Sequence, residues 1–174
     1  MRRAIVFSLV VASSALAAGW APLALAAGVP ALAWTVHDQT SGQVIEIAKP
    51  TGAVTLDGNH PFEVKLVVKD PGRATQIAIG GRIVGLQCVG ENAQQGGKPV
   101  RRALPQHVAA APQGQPAEAT LAFNGDGIAL CSGAGQGHVK GGKILVHGSS
   151  TDKRDALYQA TGTLTINLVP AMPQ

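Results

Sequence analysis

Cys88, Cys131, His138 and His147 are the side chains of this 174-residue chain best suited to metal or redox chemistry. Three of them fall in one glycine-rich run, IALCSGAGQGHVKGGKILVHG (128–148). A two-residue turn on Gly141-Gly142 would set Lys140 against Lys143, Val139 against Ile144, His138 against Leu145 and Gln136 against His147, because turn length fixes hairpin register. The two imidazoles then lie diagonally, with Cα atoms roughly 7–8 Å apart. They can approach one metal, but zinc is usually held by three or four protein ligands, and no third is nearby. A blue-copper centre needs a methionine beside its cysteine and histidine, and Met172 is far off near the C-terminal end. Gly133, Gly135 and Gly137 are not followed by the strand-to-helix passage that lets a glycine loop cradle phosphate. The run is therefore expected to be a β-hairpin without metal or cofactor, and His138 with His147 is the alternative metal pair.

The two cysteines lack the C-x-x-C spacing of a redox-active pair. An even pair in an exported chain is most simply a disulfide, Cys88–Cys131. Nucleophilic catalysis finds no G-x-S-x-G elbow. Ser41, His37 and Asp38 supply the residue types of a triad, but nothing in their spacing shows that they converge. Asp57, Asp70 and Asp126 stand at turns, where carboxylates accept backbone hydrogen bonds. No catalytic residues are assigned, and binding is expected rather than catalysis.

One basic segment remains. GENAQQGGKPVRRALPQHVAAAPQGQPAEA (90–119) carries Pro99, Pro105, Pro112 and Pro116 among many Gln, Ala and Gly. Such a composition buries little apolar area. It is expected to form a long irregular loop, with Lys98, Arg101, Arg102 and His107 as a candidate binding surface presented by a rigid scaffold.

The scaffold must be made of strands. FEVKLVVKD (62–70) places Phe62, Val64, Leu66 and Val68 on one face and Glu63, Lys65, Val67 and Lys69 on the other, the period of a half-buried strand. TGTLTINLV (161–169) alternates in the same way. QVIEIA (43–48), GAVTL (52–56), ATLAF (119–123) and GIALC (127–131) are further short strands, and TQIAIGGRIVGLQC (75–88) divides into two around a Gly80-Gly81 turn. STDKRDALYQ (150–159) has the pattern of a single helical turn or a polar loop. Trp34 is expected in the core. Recurrent breakers such as Asp70-Pro71-Gly72 and Asn124-Gly125 separate these segments, and no long amphipathic helix is visible. The fold class this implies is an all-β antiparallel sandwich, immunoglobulin-like or related, with one domain over 27–174.

The N-terminus supplies the address. Met1-Arg2-Arg3, an uncharged apolar run and Ala24-Leu25-Ala26 have the three-part layout of a secretory signal peptide over residues 1–26. Its removal takes away Arg2 and Arg3 and lowers the formal charge from +4 to +2. So small a charge gives no footprint for nucleic acid, and no stable membrane insertion is expected once the signal is cleaved. With aromatics at 3% of the chain, Val, Ile, Leu and Ala must build the core. The expected protein is an exported binding or adhesion module of the periplasm, cell surface or medium, with a protein or glycan partner. A subunit of a pilus-like surface polymer, and a small secreted enzyme or metal carrier, are the alternatives.

Overall fold

The computed structural model describes residues 30–90, 99–131 and 137–170. The segment read as a signal peptide, 1–26, and Lys98 lie outside the described residues. Nine strands follow in order: β1 (Leu32–Asp38), β2 (Val44–Ile47), β3 (Thr51–Asp57), β4 (Phe62–Val68), β5 (Gln76–Val89), β6 (Val100–Ala110), β7 (Ala117–Phe123), β8 (His138–Asp152) and β9 (Asp155–Val169). They form two sheets, β2-β1-β4-β7 (sheet A) and β3-β9-β8-β5-β6 (sheet B). The protein is thus an all-β, sandwich-like fold.

Period-two alternation builds the core between the sheets. Phe62, Val64, Leu66 and Val68 of β4 face inward and are almost fully buried, as are Leu32, Trp34 and Val36 of β1 and Leu164, Ile166 and Leu168 of β9. Phe62 and Phe123 stack at the β4–β7 pair, ring centroids 4.8 Å apart. Trp34, the largest buried side chain among the described residues, needs room that sheet B provides with glycine. Gly148 and Gly162 pair across β8 and β9, and a Cβ on Gly148 would come within 2.8 Å of the indole. The indole N–H donates to Pro50 O at 3.0 Å, at the point where the chain leaves sheet A after β2 and enters sheet B as β3.

Several local expectations are corrected. Neither glycine pair is a hairpin turn. β5 runs unbroken through Gly80-Gly81, paired with β8 from Gln76↔Thr151 to Val84↔Lys143. Gly81 serves close strand approach, since a Cβ there would overlap Leu145 O. β8 likewise runs through Gly141-Gly142, beside a register shift in β5, and Gly142 takes φ +144 with Leu86 Cα 2.7 Å from where its Cβ would stand. The β8–β9 hairpin turns instead at Lys153-Arg154, within the segment read as a helical turn or loop, and Asp152 Oδ1 accepts the Arg154 N–H at 2.8 Å.

The long irregular loop is corrected too. Its middle is β6, an edge strand that pairs with β5 through backbone hydrogen bonds while burying few side chains beyond Leu104. Pro105 is tolerated because β6 is an edge strand and the ladder shifts register there, between Ile79 and Gly81. Segment 127–131 makes only a Phe123↔Ile128 bridge and no strand. The sandwich is not wholly antiparallel either, because β3 pairs with β9 in parallel.

Candidate binding face

Cys88, in β5, and Cys131 form the expected disulfide, with Cα atoms 5.8 Å apart. Both thiols are consumed, in the bond that an oxidising compartment supports. The alternative metal pair is corrected by the course of β8. His138 and His147 stand nine residues apart on one continuous strand, hence ~30 Å at a rise of ~3.3 Å per residue. Among the described residues no group of three His, Cys, Asp or Glu could hold a metal.

The triad residue types do not converge. His37 and Asp38 are successive strand residues and point to opposite faces. Asp38 instead closes the end of the sandwich. Its Oδ1 accepts the N–H groups of Thr40 (2.9 Å) and Ser41 (3.1 Å), and its Oδ2 lies 3.2 Å from His60 Nδ1. His60 Nε2 is 3.5 Å from Asp57 Oδ2, so one imidazole links the β1–β2 turn to the β3–β4 turn. Burial raises the Asp38 pKa, but the His60 contact and the Ser41 and Thr40 N–H groups outweigh it and hold the carboxyl below its ordinary value of 3.8. A depressed pKa means that the unfolded chain binds the proton more tightly. The stabilisation is present above pH ~4 and is lost as pH falls through the lower folded value. Urea unfolding at pH 5 and at pH 3 should therefore show a smaller acid loss in Asp38→Asn than in the wild type. An equal loss would place the acid sensitivity elsewhere.

The basic residues are sorted by strand alternation. Arg102 pairs with Ile83, takes the inward parity, and its guanidinium donates to Ala129 O, closing the edge between the sheets. His107 pairs with Ile79 and shares that inward parity, exposed only because β6 is the edge. Arg101 takes the outward parity. It lies beside Val84 on the outer face of sheet B, where it meets two cations that sequence spacing did not connect with it. Arg82 pairs with Ala103 and with Leu145, so it is diagonal to Arg101 on one side and to Lys143 on the other, each ~7–8 Å away between Cα atoms. Arg82, Arg101 and Lys143 are all exposed.

Two shallow surface cavities follow one another along this face, each of about 510 Å³. The first is lined by Arg82, Val84, Arg101, Arg102, Ala103 and Leu145. The second has glycine at Gly80 in its lining, with Gln106, His147, Ser149, Thr161 and Thr163 around it. Continuity follows from the strands, since Gly80 and Arg82 are outward neighbours on β5, as His147 and Leu145 are on β8. The carboxylates at outward parity in sheet B among the described residues, Asp57 and Asp155, stand at strand ends. They are already engaged, Asp57 with His60 and Asp155 with Arg73 at 3.2 Å. Sheet A is different. Its outer face carries Glu46, Glu63 and Glu118 beside Lys65 and Lys69, with Lys65 3.9 Å from Glu118 and Gln39 donating to Glu63 at 2.9 Å.

Geometry thus defines a disulfide-bridged two-sheet β-protein with one face bearing cations that lack carboxylate partners in that face among the described residues. Against models of known protein families and against curated proteins, the chain shows no match.

Proposed function

We propose that this is an exported, non-catalytic binding module, acting in the periplasm or at the cell surface, whose contact surface is the outer face of sheet B. The observation that carries this reading is the cluster of Arg82, Arg101 and Lys143, three exposed cations on adjoining strands without a neighbouring carboxylate among the described residues. Like charges held this close repel one another, and an acidic partner relieves that cost. The basic segment singled out in the sequence contributes Arg101 to this surface, as part of strand β6 rather than of a loop. Export is supported by the signal-like segment 1–26 and by the disulfide.

The fold is further proposed to be immunoglobulin-like. Two features support it: a strand that crosses from one sheet to the other at Pro50, and a last strand, β9, flanked by β8 and by the parallel β3. A polymer subunit would offer an apolar, unprotected edge to its neighbour. The β6 edge does expose Val100 and Val108, but Arg101, Arg102 and the N–H-less Pro105 blunt it. These devices favour the binding module over the pilus-like alternative.

The test is charge reversal. Mature chain carrying Arg82→Glu with Arg101→Glu should bind native envelope fractions at least about tenfold more weakly, the loss of roughly one charge-assisted contact. Its thermal stability should stay within ~0.5 kcal/mol of the wild type, as exposed substitutions generally do. Undiminished binding by this variant would move the contact surface off sheet B.

A further inference from the structure

We infer that the partner of this face is an acidic polysaccharide strand, one that bears carboxylates, lying along β5 and β8. The inference rests on the binding reading above and deepens it. Four observations carry it. The first is the layout of the two cavities. A cationic end lined by Arg82 and Arg101, with Lys143 beside it diagonal to Arg82, runs into a neutral hydrogen-bonding stretch with Gly80, Gln106, His147, Ser149 and Thr163. From Lys143 to Ser149 the track extends ~20 Å along the strand, room for several sugar rings. Guanidinium groups grip carboxylates bidentately, and hydroxyl, amide and imidazole groups exchange hydrogen bonds with sugar hydroxyls.

The second observation concerns the aromatic side chains. Trp34, Phe62, Phe123 and Tyr158 are all buried at 9% exposure or less, so among the described residues the face offers no Trp, Tyr or Phe platform for a neutral sugar or a nucleobase, only the small imidazole of His147. Recognition here must come from charge and hydrogen bonds. The third is that the track lies on a sheet face, whose main-chain groups are already paired within sheet B. An extended acidic peptide gains its affinity by main-chain pairing at a free edge or by filling apolar pockets. Among the described residues the large apolar side chains at outward parity on β5 and β8 along the track are Val84 and Leu145, both half-buried, and the exposed Val108 stands beside its far end on β6 with no pocket around it.

The fourth observation concerns a second copy of the chain. Of the carboxylates on sheet A's outer face, Glu118 and Glu63 are engaged by Lys65 and Gln39 of their own face, which leaves Glu46 as the complement a second copy would offer. One carboxylate is a poor match for three cations, which favours the polysaccharide over self-association.

Affinity electrophoresis of the mature protein in gels containing polygalacturonate, dextran or polyglutamate tests this. Retardation is expected in polygalacturonate and not in dextran, weakening as salt rises because exposed charges are screened over ~8 Å at physiological ionic strength. Arg82→Glu with Arg101→Glu should abolish it. Gln106→Ala with His147→Ala should weaken binding to polygalacturonate severalfold and leave any weaker response to polyglutamate unchanged. Equal retardation in polyglutamate and polygalacturonate would reduce the face to a charge patch and overturn the inference. No retardation in polygalacturonate, while the charge-reversed variant still loses its envelope binding, would overturn the inference and leave the binding reading standing. If the variant loses neither, both fail. A dimer in light scattering that dissociates in the same variant would assign the face to a second copy instead.

Discussion

Replacing Cys88 and Cys131 together by alanine is expected to lower stability by about 4 kcal/mol, the loop-closure entropy the bridge removes from the unfolded chain. The separation of 43 residues sets that figure. The bridged segment contains all of β6 and β7, and of the eleven residues of β6 only Leu104 is buried. Backbone pairing to β5 fixes β6 on one side only, so the tether matters most for the strand that carries Arg101. Urea unfolding of the oxidised wild type and of the double variant measures the effect. A difference below ~1 kcal/mol would show that the unfolded chain gains little freedom when the bridge is absent.

Trp34→Ala should cost about 3–5 kcal/mol, the range for emptying a large buried aromatic site. Trp34 is 1% exposed and lies beneath the Gly148–Gly162 pair, which has no side chains to collapse into the space. The substitution also removes the donor to Pro50 O, which accepts the Thr163 N–H at 2.8 Å as well. Because that carbonyl joins β1, the β2–β3 crossing and β9, local damage should spread to both sheets. Trp34→Phe separates the two contributions: it keeps most of the ring but donates nothing, and should cost about 1–2 kcal/mol. Differential scanning calorimetry of both variants would check this. A Trp34→Ala loss under ~1.5 kcal/mol would mean the site relaxes in a way the glycine pair does not allow.

Which parts of this architecture could be read from the sequence follows from how local the signal is. β4 is legible because Phe62, Val64, Leu66 and Val68 alternate with polar residues, and burial on one face is all that its geometry needs. β2, β3 and β7 are legible for the same reason, with bounds one or two residues off, but β9 only from 161, its first residues, 155–159, falling in the segment read as a helical turn or polar loop. The glycine pairs misled because Gly-Gly is equally suited to a turn and to close contact between strands. Gly81 is glycine on account of Leu145 O, and Gly142 on account of Leu86, partners more than fifty residues away. β6 was hidden because it is held by backbone hydrogen bonds, which leave no mark in side-chain periodicity, and because Pro105 argues against a strand everywhere except an edge.

The binding face failed to appear for a related reason. Arg101 was singled out, but Arg82 and Lys143 lie far from it in sequence and are joined to it only by the β6-β5-β8 order. Arg102 borders the same cavity but, like His107, takes the opposite parity on β6, which for His107 sequence spacing alone does not reveal across the register shift at Pro105. Replacing 94–115 by a short linker, harmless if the segment is a loop, would remove β6 and should destabilise sheet B.

Site-directed photocrosslinking in intact cells tests the central claim most directly. A crosslinking residue placed at Leu145, in the lining of the cationic cavity, is compared with one at Thr120, on the outer face of sheet A. If the outer face of sheet B is the contact surface, adducts form from position 145, fade when Arg82→Glu and Arg101→Glu are added, and do not form from position 120. Adducts from position 120 alone would contradict it.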